Sequence, residues 1–253
     1  MMQLIKAYAK VNLILKVYPK TTNEIKHRIK SLICIYPKLY DEIYIKFASK
    51  TEIIFINQNK IIHIDKTKIY LAIQYLSKIL KRSINLSIKI HKKIPLMSGI
   101  GGSATDIAAI IKWISKKYKL IITNTHLKYI AKYIGSDVPF FLSGHSKAWV
   151  SNYGEIVKQT KQKIPRFDLI LTNIKIATKC VYAKMNKNYQ SLVNIKQACK
   201  YLNFRPWNSN IVYNDMWQFA NSIDKKLVAA FQKLNTNHNL ILSGSGGSFI
   251  VIK

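Results

Sequence analysis

The chain has 253 residues, 49% of them hydrophobic and 11% aromatic, which suits one large or two modest cores and excludes a disordered chain. No apolar run approaches the roughly 18 residues of a membrane span, and the lysine-studded start lacks the apolar heart of a signal peptide. The formal charge is +30, yet only Arg28, Arg82, Arg166 and Arg205 are arginines, and the lysines are scattered from end to end. Base-reading and bidentate phosphate-reading surfaces lean on arginine forks, so this charge argues against a dedicated nucleic-acid binder. It favours instead the steering of a small polyanionic substrate. Cys34, Cys180 and Cys199 are far apart, without a CxxC pair, and fit reduced thiols in a cytoplasmic protein.

In chain order, residues 3–17 read as a strand, followed by short β-branched and aromatic runs at 28–36, 41–48, 51–57 and 60–65. The spacing of Ile69, Ile73, Leu76 and Leu80 predicts a helix over 68–82, and residues 84–95 return to period two. Ile107, Ile110, Ile111 and Ile114 mark a second helix, and residues 125–135 a third, stopped by Gly135 as a left-handed C′ residue. A strand at 167–173 opens the second half. Helices are expected at 178–186, 190–202, 210–222 and 224–234, and a strand, glycine turn and strand close the sequence. The pattern is α+β, with a boundary near 155–165 separating two halves.

Four stretches carry chemistry. "KIPLMSGIGGSATD" runs from a strand through a loop into a helix and holds three of the chain's nine glycines, Gly99, Gly101 and Gly102. Such a loop aims backbone N–H groups at one point and lets an anion approach the main chain at the positive end of a helix. The competing explanation is a plain turn in which Ser103 or Thr105 caps the helix. The stretch is neither a Walker A loop nor a GxGxxG fingerprint. In "YIGSDVPFFLSG", Asp137 stands between a helix stop and an apolar run, as a base or hydroxyl-orienting group or as an ordinary N-cap. In "AYAKVNLILKV", Lys10 and Asn12 lie two apart and share one face of a strand, against Val11 and Leu13 on the other. That is either an amphipathic strand or a cation poised over a transferring phosphoryl group. The second glycine loop, "ILSGSGGSFIVI", reads as a hairpin turn, unless it meets the first. The six histidines show no HxxxH or HxH spacing.

Together, and in this order, these stretches resemble the GHMP superfamily of small-molecule kinases. Within it they are most similar to the branch acting on 4-diphosphocytidyl-2-C-methyl-D-erythritol. The matching pieces are Ala9-Lys10-Val11-Asn12-Leu13, "IKHRIKSL" with His27, Ile94 to Ala109, "GSDVPFFLSG" around Asp137, Gly154-Glu155, and Ser243 to Phe249. The resemblance implies an N-terminal domain over 1–158 with the left-handed βαβ unit of the ribosomal-protein-S5-domain-2-like fold, and a ferredoxin-like C-terminal domain over 159–253. It implies ATP with Mg2+ and phosphorylation of the substrate's 2-hydroxyl, in a monomer or weak homodimer with no specific nucleic acid and no membrane. Asp137 would orient or deprotonate that hydroxyl, with Lys10 beside it to stabilise charge. Pro95, Leu96, Met97, Ser98, Gly99, Ile100, Gly101, Gly102, Ser103, Ala104 and Thr105 would wrap the triphosphate.

The same resemblance places Asn12, His27, Tyr153, Thr178 and Tyr182 on the substrate, with His27 near the cytosine and Tyr153 stacking on it. The sequence departs from the pattern at Lys26, where a tyrosine is usual, and at Ser103 and Ala104. Those departures leave open how the base is clamped, and whether Ser103 or Thr105 meets phosphate or Mg2+. The alternatives are another superfamily kinase acting on a mevalonate- or homoserine-type alcohol, or a non-catalytic basic nucleic-acid-binding homologue.

Overall fold

The computed structural model describes residues 1–22, 24, 26–58, 60–62, 67–185, 189–203, 211–235 and 239–253. The chain compacts into two units with interleaved segments. The first is Met1–Ala9, Tyr36–Pro95 and Gly101–His145; the second is Lys10–Ile35, Leu96–Ile100 and Ser146–Lys253. This grouping differs from the single cut at 158/159, because β1 (Gln3–Val17) and β2 (Ile29–Phe47) each start in one unit and end in the other. No helix among the described residues is long and apolar enough to cross a membrane.

In the first unit, β3 (Glu52–Asn57) pairs parallel with β5 (Leu86–His91), and β5 pairs antiparallel with Glu42–Phe47 of β2. A short β4 (Lys60–Ile62) folds back on β3; residues 63–65 of the run expected to be a strand lie outside the described residues. The parallel pair requires a crossover, which α1 (Lys68–Leu80) supplies. Then come α2 (Gly102–Tyr118), α3 (Asn124–Tyr129) and α4 (Val138–Ser143), and α2 packs on α1 and α4. Ile107, Ile110, Ile111 and Ile114 recur at three- and four-residue steps on α2 and are all buried. Each contributes about 2 kcal/mol by leaving water. Gly135 is not the left-handed stop expected of it. Residues Ile130–Ile134 form a π-turn, the Gly135 N–H donates to the Ile130 carbonyl, and φ is −178°, an ordinary extended value. Glycine fits there because a Cβ would come within 3.1 Å of the Val138 side chain.

In the second unit, Ile29–Cys34 of β2 pairs antiparallel with β6 (Lys147–Asn152), which pairs in turn with β7 (Ile156–Gln159). The runs expected as separate strands at 28–36 and 41–48 are thus one continuous strand. Pro37 falls between its two ladders, where the missing N–H removes no rung of either. A second antiparallel sheet has the order β8 (Phe167–Leu171), β10 (Ser248–Ile252), β9 (Leu240–Leu242). Its helices are α5 (Thr178–Lys184), α6 (Ile195–Tyr201), α7 (Trp217–Ala220) and α8 (Lys225–Leu234). Trp217, Phe231 and Phe249 cluster with ring centroids 4.4–6.3 Å apart and tie α7 and α8 to β10. The helices expected over 190–202 and 210–222 are shorter than predicted, with residue 210 outside the described residues. The cause is long-range: the Asp215 carboxylate accepts the N–H groups of Val17, Leu192 and Val193, so residues 191–193 and 213–215 are held as ties to β1.

Candidate active site

The second half of β1 is buried on both faces. Val11 and Leu13 on one side are inaccessible, and on the other Ile14 is inaccessible and Lys10 and Asn12 are only 3% and 2% exposed. This removes the amphipathic-strand explanation, because the polar face does not meet water. The Lys10 ammonium donates to Asn12 Oδ1 at 2.5 Å, Asn12 Nδ2 donates to Ser31 Oγ at 2.8 Å, and Ser31 Oγ donates to the Ile14 carbonyl at 2.7 Å. A buried cation with its acceptor oriented by a third group is what a site for an anionic ligand needs.

The Lys10 backbone N–H donates to the Ile100 carbonyl at 3.0 Å, joining β1 to the first glycine loop. That loop meets the second one. Gly99, at φ +77°, lies so close to the 243–247 segment that a Cβ on it would overlap the Ser243 carbonyl oxygen, and a Cβ on Gly244, at φ +58°, would overlap the Gly99 carbonyl. Side chains at these two positions are excluded both by space and by left-handed backbone. Ile176 N–H donates to the Met97 carbonyl at 3.2 Å and fastens the other end. The "SGSGG" turn is therefore more than a hairpin: it is the bed on which residues 97–100 rest.

The residues expected on the substrate lie in this same unit. His27 is 9% exposed, its Nδ1 sits 2.9 Å from the Tyr18 carbonyl, and its ring stacks on Tyr182 at 5.4 Å and 20°. Burial is the main cause that lowers its pKa below 6.5, helped by Lys20, so the ring is neutral at pH 7. With Nδ1–H donating to a carbonyl, Nε2 keeps its lone pair and is an acceptor. Thr178 and Tyr182 are four apart on α5 and share a face, and the Thr178 hydroxyl bonds Ser245 Oγ at 2.7 Å. The ring stacked on His27 is thus Tyr182, whereas the Tyr153 hydroxyl donates to Glu24, which also pairs with Arg28. Tyr153 is held in its turn by Glu155, whose carboxylate accepts from the Tyr153 N–H and from the Asn152 amide.

In the first unit, the N-cap of α2 is Gly101, with φ +80° and no side-chain cap. The competing explanation, capping by Ser103 or Thr105, fails, because a glycine occupies the cap position. The helix therefore presents its first N–H groups uncapped by any side chain, as an anion site requires. Ser103 is exposed and Thr105 is 4% exposed, and Pro95, Gly101, Gly102 and Ala104 are half-buried. Behind this turn Lys92 is buried between Asp41 and Asp106, 2.6 Å from the latter, and Asp41 also accepts the N–H groups of Lys93 and Ile94. The cluster fixes the exit of β5 and the start of α2. Asp137 occupies the N-cap position of α4, half-buried, but makes no capping bond with its side chain. No group of three or more His, Cys, Asp or Glu among the described residues is arranged to hold a metal.

Residues 67–145 match the family described as GHMP kinases N terminal domain. The chain is 29% identical over 258 residues to the 4-diphosphocytidyl-2-C-methyl-D-erythritol kinase of Ureaplasma parvum serovar 3, covering 98% of this chain and 95% of the relative. It is also 29% identical over 267 residues to that of Sulfurimonas denitrificans, covering 100% and 97%. A crystal structure of 4-(cytidine 5'-diphospho)-2C-methyl-D-erythritol kinase shares the fold, with a TM-score of 0.74 and 21% identity over 99% of this chain and 90% of that one.

Over residues 67–145, and in the relatives it matches along its whole length, the chain is similar to GHMP kinases. The structure also brings forward residues that the sequence does not advertise. Asn214 is 3% exposed; its amide nitrogen donates to the Leu242 and Gly244 carbonyls at 2.7 and 2.8 Å, and its oxygen accepts the Met216 N–H. Asn214 thereby anchors the bed under Gly99, and its neighbour Asp215 anchors β1. A polar Asn-Asp pair inside the apolar "IVYNDMWQFA" was the available signal, since such a pair is out of place on a packed helix. Ser31 offered less: a lone serine on a strand is ordinary.

Proposed function

We propose that this chain is a GHMP kinase that transfers the γ-phosphoryl group of ATP to the 2-hydroxyl of 4-diphosphocytidyl-2-C-methyl-D-erythritol. The substrate oxygen bonds to the γ-phosphorus, the bond to the β–γ bridging oxygen breaks, and ADP leaves. The hydroxyl proton passes to Asp137, which orients the alcohol, while Lys10 offsets charge on the transferring group. Such a reaction asks positioning and charge stabilisation of the protein, not a covalent intermediate. The residues 95–105 wrap the triphosphate. ATP comes as its Mg2+ complex, and Ser103 is the hydroxyl for phosphate or metal, because it is exposed where Thr105 is buried.

The observation that carries the choice of substrate is the neutral His27 stacked on Tyr182. An acceptor nitrogen beside an aromatic face suits a base with an exocyclic amine, such as cytosine, and relatives named for a diphosphocytidyl substrate match over the whole length. Asn12, Thr178 and Tyr153 complete the substrate side, and Tyr182 supplies a ring in a chain that has Lys26 where a tyrosine is usual. The domains are read as an S5-like 1–158 and a ferredoxin-like 159–253 in a cytoplasmic monomer or weak homodimer.

The test is ADP release from Mg-ATP with diphosphocytidyl-methylerythritol, mevalonate or homoserine. Turnover is expected with the first alone; turnover with another alcohol instead would replace the substrate. Asp137→Ala is expected to lower kcat by about a thousandfold or more with ATP still bound, as loss of a catalytic base commonly does. Near-normal turnover in that variant would sink the role given to Asp137.

A further inference from the structure

Ser31 is wholly buried on β2 and is matched to no role in the reaction. Its hydroxyl stands between two fixed partners: it receives the Asn12 amide hydrogen at 2.8 Å and gives its own hydrogen to the Ile14 carbonyl at 2.7 Å. A hydroxyl has one hydrogen. Once that hydrogen is committed to Ile14, the oxygen facing Asn12 can only accept. The amide must then present its NH2 to Ser31 and its oxygen to the Lys10 ammonium, 2.5 Å away.

The opposite amide orientation would set NH2 against an ammonium and a carbonyl oxygen against an oxygen that has no hydrogen left to give. Both contacts would be repulsive, in a place where all three side chains are at most 3% exposed and water cannot compensate. The asymmetry originates in the Ile14 carbonyl, a backbone group of the same strand that carries Lys10. The relay is therefore rigid at one end and delivers a single orientation of the Lys10 head at the other.

We propose that Ser31 is a positioning residue for phosphoryl transfer: it acts through Asn12 to hold the Lys10 ammonium on its target, and touches no substrate itself. The inference rests on the reading of Lys10 as the group that offsets phosphoryl charge. Preorganised charge matters more to the transition state than to the bound ground state, so the loss belongs in kcat.

The test uses the intact chain and the isosteric pair Ser31→Thr and Ser31→Val. Both add the same methyl group, so packing cost is shared, and only the hydroxyl differs. Ser31→Thr is expected to keep kcat within about threefold of the Ser31 enzyme, and Ser31→Val to lose about tenfold to a hundredfold, with KM for ATP and for the alcohol unchanged in both. Should the methyl prevent folding in both, Ser31→Ala is read in the same way, with melting temperature and ADP affinity as the controls for a merely structural loss. Equal kcat in Thr and Val variants, or in Ala and Ser enzymes, overturns the inference. So does a loss that falls equally on kcat, KM and melting temperature. An unmutated enzyme that turns over no alcohol sinks the functional reading and the inference with it; turnover that survives loss of the hydroxyl sinks the inference alone.

Discussion

Asp106 shows how much a single side chain near the first glycine loop is asked to bear. Burial pushes its pKa up to about 7, against the pull of the Lys92 ammonium, and the neighbouring Asp41 carboxylate adds to the rise. Its ordinary value is 3.8, so between roughly pH 4 and 7 the folded protein holds a proton that the unfolded chain has released. The stability this group contributes is present at the acid end of that window and is lost as pH rises through the folded value. The difference in melting temperature between the Asp106 protein and Asp106→Asn should therefore change by roughly 5 °C or more between pH 4.5 and 7.5, in the sense of the Asp106 protein losing ground as pH rises. A constant difference across that range would show that Asp106 is charged throughout. Lys10 and Asn12 were visible in the sequence because a polar pair on an apolar strand is conspicuous. Ser31, Asn214 and the Asp41–Lys92 contact were not, because each is defined by a partner far away in the chain.

At the scale of elements, the helices that pack one apolar face were legible. Period 3.6 places Ile107, Ile110, Ile111 and Ile114 together whatever surrounds them, and the same holds for Ile69, Ile73 and Leu76 on α1. The strand carrying Lys10 was legible in its extent but not in its double burial. Elements set by remote hydrogen bonds escaped. Nothing local says that β2 continues through Pro37, or that Asp215 will take the N–H groups of residues 192 and 193 and delay α6 until the Asn194 cap. The glycine loops belong to the same class: each resembles a turn until the other is seen against it. Gly99→Ala adds a methyl where the Ser243 carbonyl lies and where the backbone is left-handed, at a cost of about 1–2 kcal/mol for the backbone alone. The expected outcome is at least tenfold weaker ATP binding by calorimetry, with the far-ultraviolet circular dichroism of the fold retained. Unchanged ATP affinity would mean that the loop contact does not shape the nucleotide site.

Across the whole molecule the dominant fact is charge. A net +30 carried mainly by lysine suits the proposed reaction between two polyanions, ATP and a diphosphate-bearing alcohol. Long-range attraction raises the rate of encounter, and salt screens it with a Debye length of about 10 Å at 0.1 M. Between 50 and 500 mM salt, kcat/KM is expected to fall about threefold to tenfold while kcat changes little. A fall confined to kcat would place the salt effect in the chemical step and leave the lysine surface without this role.

The contact between Gly99 and residues 243–247 also has a consequence in time. A ribosome delivers the first glycine loop long before the second, on the order of ten seconds earlier at typical elongation rates. Throughout that interval the segment from Leu96 to Ile100 exists, and so does Lys10, but the Ser243 carbonyl and Gly244 that bed them down have not been made. A nascent chain thus has the text of its first glycine loop without the shape. On the reading of residues 95–105 as the ATP cradle, competence to hold ATP waits for residues 243–247, as an event and not as a gradual gain.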